Sequence, residues 1–203
     1  MPHGATARLF VAVDPPLQVC AELASWARLV AGVMRSARGG RRDDSSHSGI
    51  RPLEADSLHL TVCFLGARPV GEIEGLAAAL AECAAPVGEL SVGAPLLLPP
   101  RRPRALAVEI RDPSGALARL QAQTVRILSA ASGWEPAERR GFRAHVTVAR
   151  MRAETRWPAA DQPLPPTPRL RFTPQRLALY RSWLAPAGAS YETVASCDLA
   201  PGA

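Results

Sequence analysis

The sequence predicts an α+β fold built as two pseudo-symmetric lobes. Each lobe is expected to carry a largely antiparallel sheet with helices on its outer face, and a cleft lies between them. Three observations carry that expectation. Short segments of apolar alternation are separated by longer stretches with helical spacing. The order strand, helix, strand occurs twice, with Asp-Pro after the opening strand (Asp14-Pro15 and Asp112-Pro113) and His-x-Thr at the closing one (His59-Leu60-Thr61 and His145-Val146-Thr147). From Asp14 to His59 is 45 residues and from Asp112 to His145 is 33; the difference of 12 is close to the length of a Gly/Ser/Arg/Asp-rich insertion at about 35–50.

Taken in order, RLFVAV at 8–13 reads as a strand with Leu9, Val11 and Val13 toward a core and Arg8, Phe10 and Ala12 the other way. Asp14-Pro15-Pro16 ends it and starts a helix through LQVCAELASWARLVAGVM. The insertion has no periodicity and reads as flexible, with Arg41 and Arg42 solvated and His3 and His47 given no role. HLTVCFLG at 59–66 is a strand, 70–86 a helix closed by Pro86, 89–100 a strand ending in prolines and 104–110 another strand. Residues 114–133 form a helix with Gly133 past its end. AHVTVAR at 144–150 is a strand, 157–168 a Pro-rich extended connection, and a closing pair of strands turns at Ala185–Ser190. The chain thus divides into a first repeat at about 8–88, a second at about 104–155 and closing strands at about 169–200, all in a single domain.

Composition narrows the function classes. A 203-residue chain that is 47% hydrophobic can bury a core, which excludes global disorder. No uninterrupted run of about 18 apolar residues is present and no secretory signal is read, so a cytoplasmic protein without a membrane span is expected. The four Cys are widely spaced, which favours reduced thiols over disulfides or zinc. Formal net charge is +6, and every basic residue is Arg, a side chain whose planar fork suits phosphate. A basic balance of this kind raises the local concentration of polyanions such as RNA.

Alternation decides where the motifs point. With Leu60, Val62 and Phe64 on the core face, His59, Thr61 and Cys63 project from the opposite one; with Val146 and Val148 in the core, His145 and Thr147 do the same. Two His-Thr pairs facing one cleft fit the opening of a cyclic phosphodiester. One imidazole takes a proton from water, the other gives one to the departing ribose oxygen, and the hydroxyls donate to phosphate oxygens. No carboxylate cluster suited to a metal is seen, so neither metal nor cofactor is expected. The pseudo-symmetry permits either division of acid and base. Strict alternation sets Arg150 on the core side of its strand. Phe10 shares the cleft-facing parity and is a candidate to stack on a base or to fill space between lobes. Arg51, just before the first motif strand, is a further candidate phosphate contact, and Trp26, Trp134, Trp157 and Trp183 are read as packing residues.

RLFVAVDPP, HLTVCFLG and HVTVAR together resemble the two-histidine (2H) phosphoesterase superfamily, and within it the bacterial and archaeal RNA 2′,3′-cyclic phosphodiesterases, also called 2′-5′ RNA ligases. The resemblance spans essentially the whole chain. It implies a bilobal α+β fold, no metal, and hydrolysis of a 2′,3′-cyclic phosphate to a 2′-phosphomonoester, with weak reverse ligation. It makes His59 the acid on the 3′ oxygen, His145 the base on water, Thr61 and Thr147 phosphate ligands, and Arg150 a substrate contact. The expected partners are RNA with 2′,3′-cyclic phosphate ends or small cyclic nucleotides. Alternatives are another cyclic substrate such as an ADP-ribose cyclic phosphate, or a non-catalytic RNA-binding module. A monomer is expected, because the internal repeat already supplies the two-fold arrangement.

Overall fold

The computed structural model describes residues 5–36, 49–136, 141–152, 155, 164–185 and 188–202. Most of the insertion, with Arg41, Arg42 and His47, lies outside these residues, as do His3 and Trp157. Nine strands form one sheet: β1 (Thr6–Asp14), β2 (Ile50–Pro52), β3 (Leu60–Pro69), β4 (Leu90–Leu98), β5 (Ala105–Arg111), β6 (His145–Met151), β7 (Arg171–Phe172), β8 (Arg176–Ala185) and β9 (Gly188–Asp198). The helices are α1 (Leu17–Ser36), α2 (Ile73–Cys83) and α3 (Ala116–Ser132), with single 3-10 turns at Ala55–Ser57 and Val70–Glu72. The α+β class holds, and all strand pairings within the sheet are antiparallel.

The strand order is β7-β4-β5-β6-β3-β1-β8-β9, with β2 added beside β6. One half is therefore β3, β1, β8 and β9, and the other is β6, β5, β4, β7 and β2. They join through one Cα pair, Leu60 with Val146, from which the strands diverge. Residues of both halves line one cavity across the seam.

The lobes are not the sequence repeats. Helix α1 follows β1 in the chain but packs on β2 and β6, in the other half. Helix α3 follows β5 but packs on β3 and on α2, which also covers β8 and β9. Each of these helices thus reaches a strand of the other repeat, α1 touching β6 as well as β2, and α3 touching β3.

Helix boundaries follow local chemistry. Asp112 accepts from the backbone N–H of Leu117 at 2.7 Å and from the Ser114 hydroxyl at 2.7 Å, satisfying donors at the start of α3. Gly133, at φ 62°, ends that helix in the left-handed conformation that glycine adopts without a Cβ clash. Asp14, the matching residue of the first repeat, does different work: it accepts from the Tyr180 hydroxyl and from Arg176, tying β1 to β8.

Helix α1 is by length and composition long and apolar enough to cross a bilayer, although no uninterrupted apolar run marks it. Half of it is buried inside the fold, with Leu23, Ala24, Ala27 and Val30 fully covered. The core continues through Leu9, Val11, Val13, Leu60, Leu106, Val108, Val146 and Val148. Trp26 and Trp134 pack in it as expected, and the Trp26 indole donates to the Pro165 carbonyl at 3.0 Å. Trp183 does not: it is 48% exposed, with the Arg181 guanidinium 3.9 Å from its ring centre. Cys20, Cys63 and Cys83 are buried free thiols and Cys197 is a half-buried one.

Candidate active site

His59 stands immediately before β3 and His145 opens β6. Both rings are held in the same way. Nδ1 of His59 lies 2.9 Å from the Ser57 carbonyl, and Nδ1 of His145 lies 2.8 Å from the Arg143 carbonyl. A carbonyl only accepts, so each Nδ1 carries the proton, and each Nε2 is the nitrogen left for chemistry. The antiparallel register through Leu60 and Val146 sets His59 level with Thr147 and Thr61 level with His145. All four side chains line one cavity of about 450 Å³.

Beyond each motif, the strand departs from simple alternation. On β3, Ala12 pairs with Thr61 and Val11 with Cys63, leaving Val62 as an extra residue. On β6, Ala107 pairs with Thr147 and Leu106 with Ala149, leaving Val148 extra. Both are β-bulges placed directly after the Thr, and each shifts the parity of the strand beyond it. Cys63 consequently turns into the core, and Phe64, expected there, is 68% exposed on the cavity wall. The same shift carries Arg150 from the core side, where strict alternation put it, to the cavity. Phe64 and Arg150 are each the fifth residue after the motif His, so they occupy corresponding positions in the two lobes.

The lobes differ in the surroundings of those positions. Phe10 pairs with Phe64, whereas Ala105 pairs with Arg150. Phe10 is 3% exposed and packs its ring 4.8 Å from that of His59, with Tyr180 stacked on Phe10 at 5.2 Å and Tyr191 edge-on to His59 at 4.9 Å. Phe10 therefore fills space behind His59, and little of it is left to stack on a base. The aromatic enclosure removes water from the His59 ring, and this burial pushes its pKa down to about 4. The charges of Arg150 and His145 act in the same direction, while the Ser57 carbonyl and Asp14 oppose it. His59 is thus a neutral imidazole at pH 7. Burial likewise lifts Tyr180 to about 12, so its hydroxyl stays a donor to Asp14.

Arg51 is not among the residues lining the cavity. It lies on β2, level with Arg150, and its guanidinium reaches the β8–β9 hairpin, where a Cβ added at Gly188 would meet Nη1 at 2.7 Å. Cavity residues that the sequence did not single out are Arg104, Ser182 and Tyr191, together with Phe64, while Arg8 lines it from the face that alternation gave it with Phe10. Phe64 was legible by laying the two repeats over each other at the His. Tyr191 and Ser182 come from the closing hairpin, which has no counterpart in the repeats. Among the described residues no Asp or Glu lines the cavity, and no group of three or more His, Cys, Asp or Glu is gathered as for a metal.

Residues 15–183 match the 2′-5′ RNA ligase superfamily. No curated protein sequence matches the chain. Among solved structures, it is similar to TT0787 of Thermus thermophilus, at 26% identity and a TM-score of 0.73, covering 96% of this chain and 98% of that one. E. coli LigT complexed with 3′-AMP is similar in fold at 23% identity and a TM-score of 0.68, covering 96% of this chain and 99% of that one. A structure described as a phosphoesterase has 22% identity, a TM-score of 0.72, and coverage of 97% and 99%.

Proposed function

The chain belongs to the 2′-5′ RNA ligase superfamily of two-histidine phosphoesterases, and on that premise we propose that it hydrolyses RNA 2′,3′-cyclic phosphate ends to 2′-phosphomonoesters without a metal. The observation that carries the reading is the pair of His-Thr motifs set antiparallel about Leu60 and Val146 in a cavity free of carboxylates. The phosphate sits between the motifs, with Thr61 and Thr147 donating to its non-bridging oxygens and Arg150 supplying charge. Water attacks phosphorus as one imidazole removes its proton at Nε2. The P–O3′ bond breaks, and the second histidine protonates the departing 3′ oxygen from its own Nε2. Hydrogen bonds fixed at Nδ1 keep both Nε2 atoms oriented before substrate arrives, which limits reorganisation in the transition state.

Family resemblance gives the acid role to His59. In the free protein His59 is neutral, the form of a base, so as an acid it must gain its proton together with the anionic substrate. A phosphate held beside Nε2 favours that proton by direct charge attraction. When a 5′-hydroxyl takes the place of water as nucleophile, the same displacement forms a P–O5′ bond, breaks P–O3′ and protonates the 3′ oxygen, which gives weak 2′-5′ ligation on the same residues.

The test is turnover, in EDTA, of an RNA oligomer ending in 2′,3′-cyclic phosphate, beside 2′,3′-cyclic mononucleotides and an ADP-ribose cyclic phosphate. Hydrolysis to a 2′-phosphate is expected, with each of His59→Ala and His145→Ala costing about a hundredfold or more. RNA binding without turnover of any substrate would instead mean a non-catalytic module. Turnover confined to the small substrates would reassign the substrate class.

A further inference from the structure

Some arginines of this chain are held by acidic partners and others are not. Arg28, Arg68, Arg111, Arg143, Arg171 and Arg176 each lie within 4.0 Å of a carboxylate. Other exposed arginines make no such contact among the described residues, among them Arg8, Arg101, Arg102, Arg104 and Arg150. Three of these, Arg101, Arg102 and Arg104, sit together on the turn between β4 and β5, whose sequence is Pro99-Pro100-Arg101-Arg102-Pro103-Arg104. That turn forms one wall of the cavity, through Leu98, Pro99 and Arg104.

The turn is anchored at its base. The Arg104 N–H donates to the Leu98 carbonyl at 2.8 Å, and the Arg104 carbonyl accepts from the Met151 N–H at 2.8 Å. Ala105, the next residue, is the strand partner of Arg150. Three prolines within six residues fix φ and limit the freedom the turn can lose on binding. The result is a stiff cationic ledge that continues from Arg150 out of the cavity. The opposite wall is largely aromatic, with Phe10, Phe64 and Tyr191, and Arg8 at its edge.

We propose that the β4–β5 turn, through Arg101, Arg102 and Arg104, is a second phosphate site that holds the backbone on the 5′ side of the reacting end, and that it selects RNA chains over mononucleotides. The inference rests on the proposed reaction for its direction. Once the cyclic phosphate lies between the two histidines, the nucleotides before it leave the cavity over a rim, and the rim rich in uncompensated cations is the one that attracts their phosphates. Arginine binds such phosphates through paired N–H donors and needs no base contact, so the site reads chain length rather than sequence.

The experiment compares kcat/KM for an eight-nucleotide RNA ending in 2′,3′-cyclic phosphate with that for the 2′,3′-cyclic mononucleotide of the same terminal base. The wild type is expected to favour the oligomer by about tenfold or more at low salt. The Arg101→Ala/Arg102→Ala/Arg104→Ala variant should bring that ratio close to one and reduce the salt slope of oligomer binding by about 0.7 for each phosphate no longer neutralised. Arg28→Ala, at the surface ion pair with Glu54, should leave the ratio as it is. A wild-type ratio near one, or a triple variant that keeps the wild-type ratio, overturns the site. If the wild type turns over neither substrate, the proposed reaction falls, and the site is read by fluorescence anisotropy with a labelled RNA ending in 2′-phosphate. Weaker binding by the triple variant then upholds the site, and equal binding overturns it.

Discussion

Leu60 and Val146 are Cα partners, and their pairing is where the two halves of the sheet meet. Both side chains are fully buried, so the residues flanking each of them are turned outward together. The alignment of four polar side chains in one cavity therefore depends on a single apolar contact line behind them.

Leu60→Ala should cost about 2–5 kcal/mol of stability, the range for emptying a fully packed leucine site. Val146→Ala removes less volume and should cost less. Both should lower turnover in native protein, because the seam that sets His59 level with Thr147 loosens. Urea unfolding gives the first quantity, and kcat at a temperature where the variants remain folded gives the second.

Stability should fall as pH drops through the range from about 6.5 to about 4, in part through His59. Its folded pKa, about 4, lies below the ordinary value of 6.5. Above 6.5 the ring is neutral in both states and contributes nothing. Between the two values the unfolded chain binds the proton and the folded one does not, so unfolding is favoured, by up to about 3 kcal/mol at the low end. Chemical denaturation at pH 7.5 and 4.5 should show a smaller difference in His59→Leu than in the wild type. Equal differences would mean that His59 is not held neutral.

Phe10→Ala should raise the His59 pKa toward its ordinary value, since water then reaches the ring, and should destabilise the fold by about 3–5 kcal/mol. Phe10→Leu keeps most of the volume and should shift the pKa less. Titration of the His59 imidazole signals by NMR reads both shifts.

The two His-x-Thr motifs, their common direction and the α+β class were legible because period-two alternation is fixed by the pleat and needs no tertiary information. Arg150, Cys63 and Phe64 were misplaced for one physical reason. Val62 and Val148 each add a residue without a partner, and a bulge is a property of strand pairing that one strand's pattern does not record. Arg51 was placed only by its position before the motif strand, and β2 is three residues long, too short for alternation to orient a side chain. The aromatic enclosure of His59 brings together β1, β8 and β9, which are distant in sequence. Trp183 was read by residue type, and type alone does not fix burial.

Thiol chemistry should be slow on the folded protein. Burial pushes the thiol pKa of Cys20 up to about 11, that of Cys63 to about 12 and that of Cys83 to about 11, and raises that of half-buried Cys197 as well. At pH 8 very little thiolate is present at any of them. Alkylation followed by mass spectrometry should modify Cys197 first and the other three only after unfolding. Rapid modification of Cys63 in native protein would mean that the β3 bulge does not hold it in the core.

The exchange of helices between the repeats bears on how the chain acquires its shape. A nascent segment ending before β5 contains α1 with β2 but without β6, to which β2 pairs and on which α1 also rests, and it contains β3 without α3. Neither half can close its own interior, so a ribosome must deliver most of the polypeptide before either sheet is covered on its helix side. Contacts this distant in sequence make for slow, all-or-none assembly. Two half-length fragments, made separately, would each present an unsatisfied apolar helix that only the complementary fragment can receive.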